Sequence, residues 1–218
     1  MIDIHFIVNP IAGKGKSSIT ETILKPFFID SLYRLVIKQS AFKKHATQLT
    51  KDSIAEKADI IVACGGDGTI NEVARCLVGS NIPLGIIPMG SGNGLASNLN
   101  IPKKIRKALE IIKNRHVIKI DVGQINNKPF FSNMGIGFDA NVIKHYESSQ
   151  KRTLYGYLGA CITSIKDIKR SRCLSVNINE TISLDDPFII MVSNSNEMGY
   201  KLSLTPKASL QDGLLDVL

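Results

Sequence analysis

Short apolar runs and longer amphipathic segments alternate along the first half of the chain. The apolar runs predict four strands, at residues 4–8, 33–38, 59–63 and 84–87. Segments with helical spacing follow them and predict helices from Ser17, Phe42, Thr69 and Pro102. This alternation is typical of a doubly wound α/β domain, in which helices cover both faces of a parallel sheet.

After about residue 117 the pattern is dominated by strands. We expect them at residues 116–124, 129–133, 174–178, 188–193 and 214–218, with a helix over 154–170 among them. The sequence therefore predicts two domains. Residues 1–120 form the α/β domain, and residues 121–218 form a β-rich domain in which the polar segment 146–152 is the most mobile loop.

The most informative segment is the turn after the third predicted strand, where Gly65, Gly66 and Gly68 surround Asp67. Glycines let a backbone turn sharply and let a ligand approach its N–H groups closely. The helix that follows adds N–H donors and partial positive charge, which suit a phosphate. A carboxylate opposes a bare phosphate, but it suits phosphoryl transfer, where a metal ion or hydroxyl must be organised. An ordinary Gly-Asp turn is the alternative interpretation.

Two further glycine-rich turns follow other predicted strands. The first, from Asn9 to Lys16, offers a side-chain amide and two lysines, and it lacks the spacing of a Walker loop. The second covers residues 90–94 and carries the hydroxyl group of Ser91. Ligands of open parallel sheets bind outside the carboxyl ends of the strands. We therefore expect the three turns to converge on one crevice.

In order and spacing, these turns resemble those of the diacylglycerol kinase and sphingosine kinase family of lipid kinases. The likeness continues through Asp121, residues 131–140, residues 155–158 and the segment 206–216, so it covers essentially the whole chain. The Gly-Gly-Asp-Gly-Thr turn is shared with NAD kinases and, more distantly, with phosphofructokinases, whereas residues 88–96 favour the lipid kinases. The resemblance implies an N-terminal domain like that of NAD kinases and phosphofructokinases, followed by a β-sandwich.

The resemblance also implies an ATP-dependent lipid kinase that uses Mg²⁺ and phosphorylates the hydroxyl group of a lipid such as diacylglycerol. Asp67 and Asp121 would organise Mg²⁺ or water around the phosphates, and the aspartate that matches Asp67 in sphingosine kinases resembles the catalytic base. The residues expected to line the nucleotide crevice are Asn9, Pro10, Ser40, Gly65, Gly66, Asp67, Gly68, Thr69, Asn71, Glu72, Ser91, Gly92 and Asn93.

A structural Mg²⁺ in the second domain is a further implication of the resemblance. Its ligands would be the Asp212 carboxylate and the main-chain carbonyl oxygens of Ser209 and Leu214. Mg²⁺ prefers oxygen ligands and keeps several waters, so the chemistry is reasonable. The alternative is that residues 211–213 simply form a turn that leads into the last strand.

Two departures from the family pattern bear on the substrate and the catalytic base. Gly94 stands where diacylglycerol kinases often carry Asp and is closer to the small residue of sphingosine kinases, so a sphingoid-base or ceramide-type kinase is an alternative. Family members usually continue for several tens of residues past the position of Leu218, into a segment with a glutamate that resembles the base. We therefore expect a fragment, a partner chain that completes the site, or a base elsewhere. An NAD kinase and a non-catalytic nucleotide- or lipid-binding relative also remain candidate functions.

The composition agrees with a globular enzyme that meets anionic partners. The 218 residues are 44% hydrophobic, and 27 Lys and Arg against 19 Asp and Glu give a net charge of +8. A basic balance suits nucleotides and anionic membrane surfaces. The chain shows neither a nucleic-acid-binding module nor interleaved aromatic and basic residues, so we expect no nucleic acid partner. Its four cysteines lie far apart and indicate reduced, mostly buried thiols.

The N-terminus and the length of the apolar runs indicate the cellular location of the protein. Asp3 replaces the basic region of a signal peptide, and no run approaches the ~20 apolar residues of a membrane-spanning helix. We expect a cytoplasmic protein that contacts the membrane surface peripherally to reach its lipid, with a homodimer as one candidate assembly. The amphipathic segment 103–113 has a basic face, which is most often merely solvated; a membrane-facing role is the alternative.

Overall fold

The computed structural model describes residues 1–15, 19–137, 142, 145, 159–160, 163–164, 175–178, 180–185, 187–197 and 203–218. Some of the sequence predictions therefore lie wholly or largely outside the described residues. They are the helix start at Ser17, the mobile loop at 146–152, the family-like segment 155–158 and the helix over 154–170.

Four parallel strands form the central sheet of the N-terminal part. They are β1 (Ile2–Val8), β2 (Tyr33–Gln39), β3 (Ile60–Gly65) and β4 (Leu84–Pro88), in the spatial order β2-β1-β3-β4. In this register Ile4 pairs with Leu35 on one side and with Ile60 on the other. The direction of winding reverses between β1 and β3. In open α/β sheets, such a switch point opens the crevice in which ligands bind.

Helices cover both faces of this sheet. Because successive strand residues point to opposite faces, Phe6 and Ile7 of β1 are both fully buried but belong to different clusters. Helices α1 (Glu21–Leu24) and α5 (Ile105–Asn114) contribute to the cluster that contains Phe6. Helices α2 (His45–Ala55), α3 (Asp67–Leu77) and α4 (Gly94–Asn98) contribute to the cluster that contains Ile7.

The C-terminal part is rich in antiparallel sheet. In the described residues, β5 (Gly123–Ile125) pairs with β6 (Lys128–Phe130), and β8 (Ser175–Ile178) pairs with β9 (Ile182–Asp185). A third sheet has the order β11-β10-β7, with β7 (Asn133–Gly137), β10 (Ile189–Ser193) and β11 (Asp216–Val217). Phe131 and Leu210 join the same cluster as α3. The predicted fold class, an α/β part followed by a sheet-rich part, is confirmed.

Element boundaries differ from the sequence prediction for local reasons. Helix α2 begins at His45 because Lys44 has a left-handed conformation, with φ 70°. Helix α3 begins at Asp67 because Gly66 is its extended N-cap residue. The strand predicted over 116–124 is confirmed only at its end, where β5 begins at Gly123. Residues 116–122 are not a strand, and Val117 is 62% exposed. Strand β9, whose residues are all exposed, was not predicted.

A buried histidine in β1 makes the stability of the fold depend on pH. His5 is fully buried, with Nε2 3.3 Å from Asp3 Oδ1 and Nδ1 3.6 Å from Glu56 Oε2. Burial nevertheless lowers the pKa of His5 below its usual 6.5. As the pH falls through 6.5, the unfolded chain takes up a proton here before the native protein does, so stability decreases.

We expect the free energy of unfolding in urea to fall between about pH 7.5 and about pH 5.5. The decrease should be smaller in a His5→Leu variant, which has no proton to take up at this position. The same pH slope in both proteins would assign the pH dependence to other groups.

Candidate functional site

Three loops meet at the carboxyl edge of the parallel sheet, after β1, β3 and β4. A Cβ atom added to Gly90 would lie 2.6 Å from the Cα of Gly66, and one added to Gly66 would lie 3.2 Å from the Cα of Gly90. Gly13, which has φ +63°, would place a Cβ 2.8 Å from the carbonyl oxygen of Met89. Glycine is therefore required where the loops pack against one another, and the structure brings the three predicted turns together.

Asp67 joins two of these loops through both carboxylate oxygens. Oδ2 accepts a hydrogen bond from the N–H of Asn93 at 2.8 Å, and Oδ1 accepts one from the N–H of Gly94 at 2.7 Å. Hydrogen bonds to an ionised group are about twice as strong as neutral ones. A Cβ on Gly92 would lie only 3.0 Å from Oδ2. Asp67 thereby holds the β4–α4 loop against the start of α3.

Two asparagine side chains brace the loops. The buried side chain of Asn93, at φ 58°, accepts from the N–H of Gly90 at 2.9 Å and donates to its carbonyl oxygen at 2.6 Å. Asn9 donates from Nδ2 to Thr69 Oγ1 at 3.2 Å and accepts from the N–H of Ile11 at 3.2 Å. The first asparagine fixes the loop after β4, and the second connects the loop after β1 to α3.

The first turn of α3 is open. Asp67 and Gly68 are exposed, and a Cβ added to Gly68 would meet no atom of the described residues within 4 Å outside its own helix. The first four N–H groups of a helix have no intrahelical partner, so this turn offers donors and a positive dipole end. Nearby, Asn71 Oδ1 is buried without a hydrogen-bond partner among the described residues. The N–H donors of this turn fit a phosphate group, and the Asn71 oxygen fits a hydrogen-bond donor beside it.

The other predicted crevice residues lie around these loops. Ser40 follows β2, and its N–H donates to the carbonyl oxygen at the end of β1 at 2.8 Å. Pro10 and Ser91 are exposed on the loops after β1 and β4. Glu72 Oε1 accepts from the N–H of Lys44 at 3.2 Å, so this carboxylate fixes the start of α2.

Asp121, the second predicted catalytic carboxylate, contacts the turn over residues 209–214. Its Oδ2 accepts from the N–H of Gly213 at 2.8 Å, and its own N–H donates to the carbonyl oxygen of Leu210 at 2.7 Å. Its carbonyl oxygen accepts from Asn194 Nδ2 at 2.8 Å. Among the described residues, the side chain of Asp121 therefore bonds to the turn over residues 209–214, whereas the side chain of Asp67 bonds to the loop after β4.

The predicted metal ligands lie on this same turn. Asp212 Oδ1 accepts from the N–H of Leu214 at 3.1 Å, and Ser209 Oγ accepts from the N–H of Gln211 at 3.2 Å. In the described part of the chain Asp212 Oδ2 has no hydrogen-bond partner, and Asp121 brings a second carboxylate to the turn. These oxygens suit Mg²⁺. No cluster of three or more His, Cys, Asp or Glu occurs in the described residues, so any metal here needs main-chain oxygens and water.

Sequence reasoning missed Glu197, which ties α4 to the sheet-rich part. Its Oε2 accepts from Ser97 Oγ at 2.5 Å, and its backbone exchanges hydrogen bonds with the Asn98 side chain, each 3.2 Å long. Its carbonyl oxygen also accepts from Asn133 Nδ2 at 3.2 Å. Helix α4 is thus held by Asp67 at its first turn and by Glu197 at its last. The partners lie 64 to 100 residues apart in sequence, so no local pattern indicates this contact.

Cys64 adjoins the glycine turn but belongs to the core. Its side chain is fully buried, and burial raises the pKa of its thiol far above the usual value, so the reactive thiolate is disfavoured. The sulfur lies 3.8 Å from the carbonyl oxygen of Val62. The prediction of a buried thiol is confirmed for Cys64, whereas Cys76 is half-buried.

Comparison with known proteins adds independent findings. The family model described as the diacylglycerol kinase catalytic domain matches residues 3–125. The chain is 30% identical over 221 residues to a diacylglycerol kinase of Bacillus subtilis, covering 98% of this chain and 72% of that protein. It is 28% identical over 220 residues to a diacylglycerol kinase of Staphylococcus epidermidis, covering 96% of this chain and 67% of that protein.

A solved structure shares the fold. A crystal structure of a diacylglycerol kinase from Bacillus anthracis superposes with a TM-score of 0.72 at 27% identity, covering 99% of this chain and 74% of that one. The chain spans 52% to 64% of the length of three other curated relatives.

Proposed function

Because the chain belongs to the diacylglycerol kinase catalytic domain family, we propose that it acts as an ATP-dependent lipid kinase. The γ-phosphoryl group of ATP passes to the hydroxyl group of a lipid, and diacylglycerol is the proposed acceptor. The observation that carries the nucleotide assignment is the open first turn of α3, where Gly68 leaves space over unpaired N–H groups. The names of the Bacillus and Staphylococcus relatives support the acceptor class.

In this proposal the first turn of α3 binds the phosphates, and Asp67 holds the metal ion. The N–H groups of the α3 turn bind phosphate oxygens, and the glycines allow the close approach. Both oxygens of Asp67 accept backbone hydrogen bonds, but a carboxylate has about four acceptor positions, so Asp67 can still hold a hydrated Mg²⁺. When bound, Mg²⁺ neutralises phosphate charge.

A direct test offers ATP with several acceptors side by side: diacylglycerol, a sphingoid base and ceramide in mixed micelles, and NAD in solution. We expect phosphorylated diacylglycerol as the main product. A sphingoid or ceramide product would favour the substrate class that Gly94 suggests. Phosphorylated NAD alone would assign an NAD kinase, and binding without any product would leave a non-catalytic relative.

A structural Mg²⁺ on the turn over residues 209–214 is a second part of the proposal. If Asp212 is a ligand, Mg²⁺ should raise the melting temperature of the unaltered protein but not that of Asp212→Asn. A ligand that binds only the native state adds about 2.7 kcal/mol at a hundredfold excess over its Kd. Thermal melts of both proteins, with Mg²⁺ and with a chelator, measure this. Four equal melting temperatures would leave the turn as the whole explanation.

A further inference from the structure

We propose that residues 103–119, hereafter the α5 surface, form the docking surface of the protein for an anionic membrane. This segment holds seven Lys or Arg residues and a single glutamate, a net charge of +6 within a chain whose total is +8. The proposal rests on the proposed function for its purpose, because a kinase that acts on a membrane lipid must meet the bilayer.

The charges of the α5 surface are exposed and uncompensated. Lys104, Arg106, Lys107 and Lys113 are all exposed, whereas Ala108, Leu109 and Ile112 of the same helix are buried against the sheet. The ion pairs of the described residues lie elsewhere, around His5, Lys25, Arg34 and Lys38. A row of cations without partners is electrostatically complementary to anionic phospholipids.

The placement of these cations works against the helix itself. Arg106 and Lys107 stand in the first turn of α5, which has no acidic residue. The N-terminal end of a helix carries partial positive charge, so cations there are unfavourable and carboxylates favourable. Sequences break such local rules mainly at functional positions. The arrangement is therefore better explained by an anionic partner than by helix stability.

Exposed aliphatic side chains accompany the charges. Ile111 is 37% exposed on the helix, and Val117 and Ile118, just after it, are 62% and 49% exposed. Aliphatic groups that enter the headgroup region beside cations are typical of interfacial helices. The α5 surface contains no Phe, Tyr or Trp, so it lacks the stacking residues of a single-stranded nucleic acid site.

The α5 surface adjoins the candidate crevice. Lys103 Nζ, at the start of the surface, donates to the carbonyl oxygen of Ser91 at 3.4 Å. A cavity of about 260 Å³ lies between Lys103, Asn93 and Ser97, where the α4–α5 connection meets the crevice. None of the described helices is long and apolar enough to cross a bilayer. Docking through α5 would bring the bilayer alongside the loops that are proposed to bind ATP.

Vesicle sedimentation tests the proposal without catalysis. The probes are vesicles of phosphatidylcholine alone and of phosphatidylcholine with about 30% phosphatidylglycerol. The test variant is Arg106→Glu with Lys107→Glu, in which acidic residues in the first turn favour the helix. The control is Lys51→Glu with Lys128→Glu, the same charge change at exposed positions elsewhere.

We expect the unaltered protein and the control to bind the anionic vesicles, in a salt-sensitive manner, and the α5 variant to bind at least about tenfold more weakly. Equal binding by the α5 variant and the unaltered protein would overturn the proposal, and so would an equal loss in the control. Tighter binding of duplex DNA than of vesicles, abolished in the α5 variant, would make the surface a nucleic-acid site and would also overturn it.

A kinase assay separates docking from chemistry. On a monomeric short-chain diacylglycerol the α5 variant should keep the turnover of the unaltered protein, and on diacylglycerol in anionic vesicles it should lose most of it. Equal losses on both substrates would contradict a docking role. If no kinase activity exists at all, the proposed function fails, while the sedimentation result still decides the docking surface.

Discussion

Replacing Asp67 with alanine is expected to slow phosphoryl transfer about 100-fold or more, with a much smaller change in nucleotide affinity. The carboxylate lies at the junction of the loops after β3 and β4, where it accepts the N–H groups of Asn93 and Gly94. Its removal takes away the proposed anchor for Mg²⁺ beside the open turn of α3. A 100-fold loss corresponds to about 2.7 kcal/mol of transition-state stabilisation. Steady-state turnover and calorimetric nucleotide binding measure the two quantities separately.

Asp67 also has a structural role, so the experiment needs a variant that loosens the same loop and keeps the carboxylate. Asn93→Gly is suitable, because it deletes the side-chain bonds to Gly90 and tolerates the left-handed backbone at this position. Turnover should fall much less in Asn93→Gly than in Asp67→Ala. Equal losses of turnover in the two variants would mean that Asp67 only holds the loop in place. Near-normal turnover by Asp67→Ala would show that Asp67 takes no part in the mechanism.

The parallel sheet could be predicted because its signals are local. Each strand is a short apolar run, and a Gly-rich turn and a helix follow β3 within the same stretch of sequence. Parallel strands buried on both faces need such runs, and the loops at their carboxyl ends meet because of the topology. For this reason the turns, and their resemblance to those of a lipid kinase family, could be used to predict which loops the structure brings together.

The parts of the fold and of the site that could not be predicted depend on contacts between distant parts of the chain. The β-branched residues Val117 and Ile118 favour a strand, yet they pair with no strand of the described residues and are exposed. In contrast, β9, whose residues are all exposed, forms by pairing with β8. The hydrogen bonds of Asp121 to Gly213 and of Glu197 to Ser97 span about a hundred residues. Strand pairing and side-chain bridges of this kind leave no periodic trace in a sequence.

The second large effect is expected at Gly68, where stability and binding should change in opposite directions. A Cβ at this position meets no atom of the described residues outside its own helix, and alanine is a better helix residue than glycine by up to about 1 kcal/mol. Gly68→Ala should therefore melt at a temperature equal to or higher than that of the unaltered protein. If a phosphate lies over the first turn of α3, the added methyl group occupies the space it needs, and ATP affinity should fall at least about tenfold.

Gly66→Ala provides the matched comparison for this result. Its Cβ would lie 3.2 Å from the Cα of Gly90, so the contact between two loops must shift, and both stability and ATP affinity should decrease. A loss of affinity in Gly68→Ala therefore cannot come from disturbed loop packing, because nothing in the described protein touches the new methyl group. Isothermal calorimetry and thermal melts on both variants give the two quantities. Unchanged ATP affinity in a stable Gly68→Ala protein would move the phosphate site away from the start of α3.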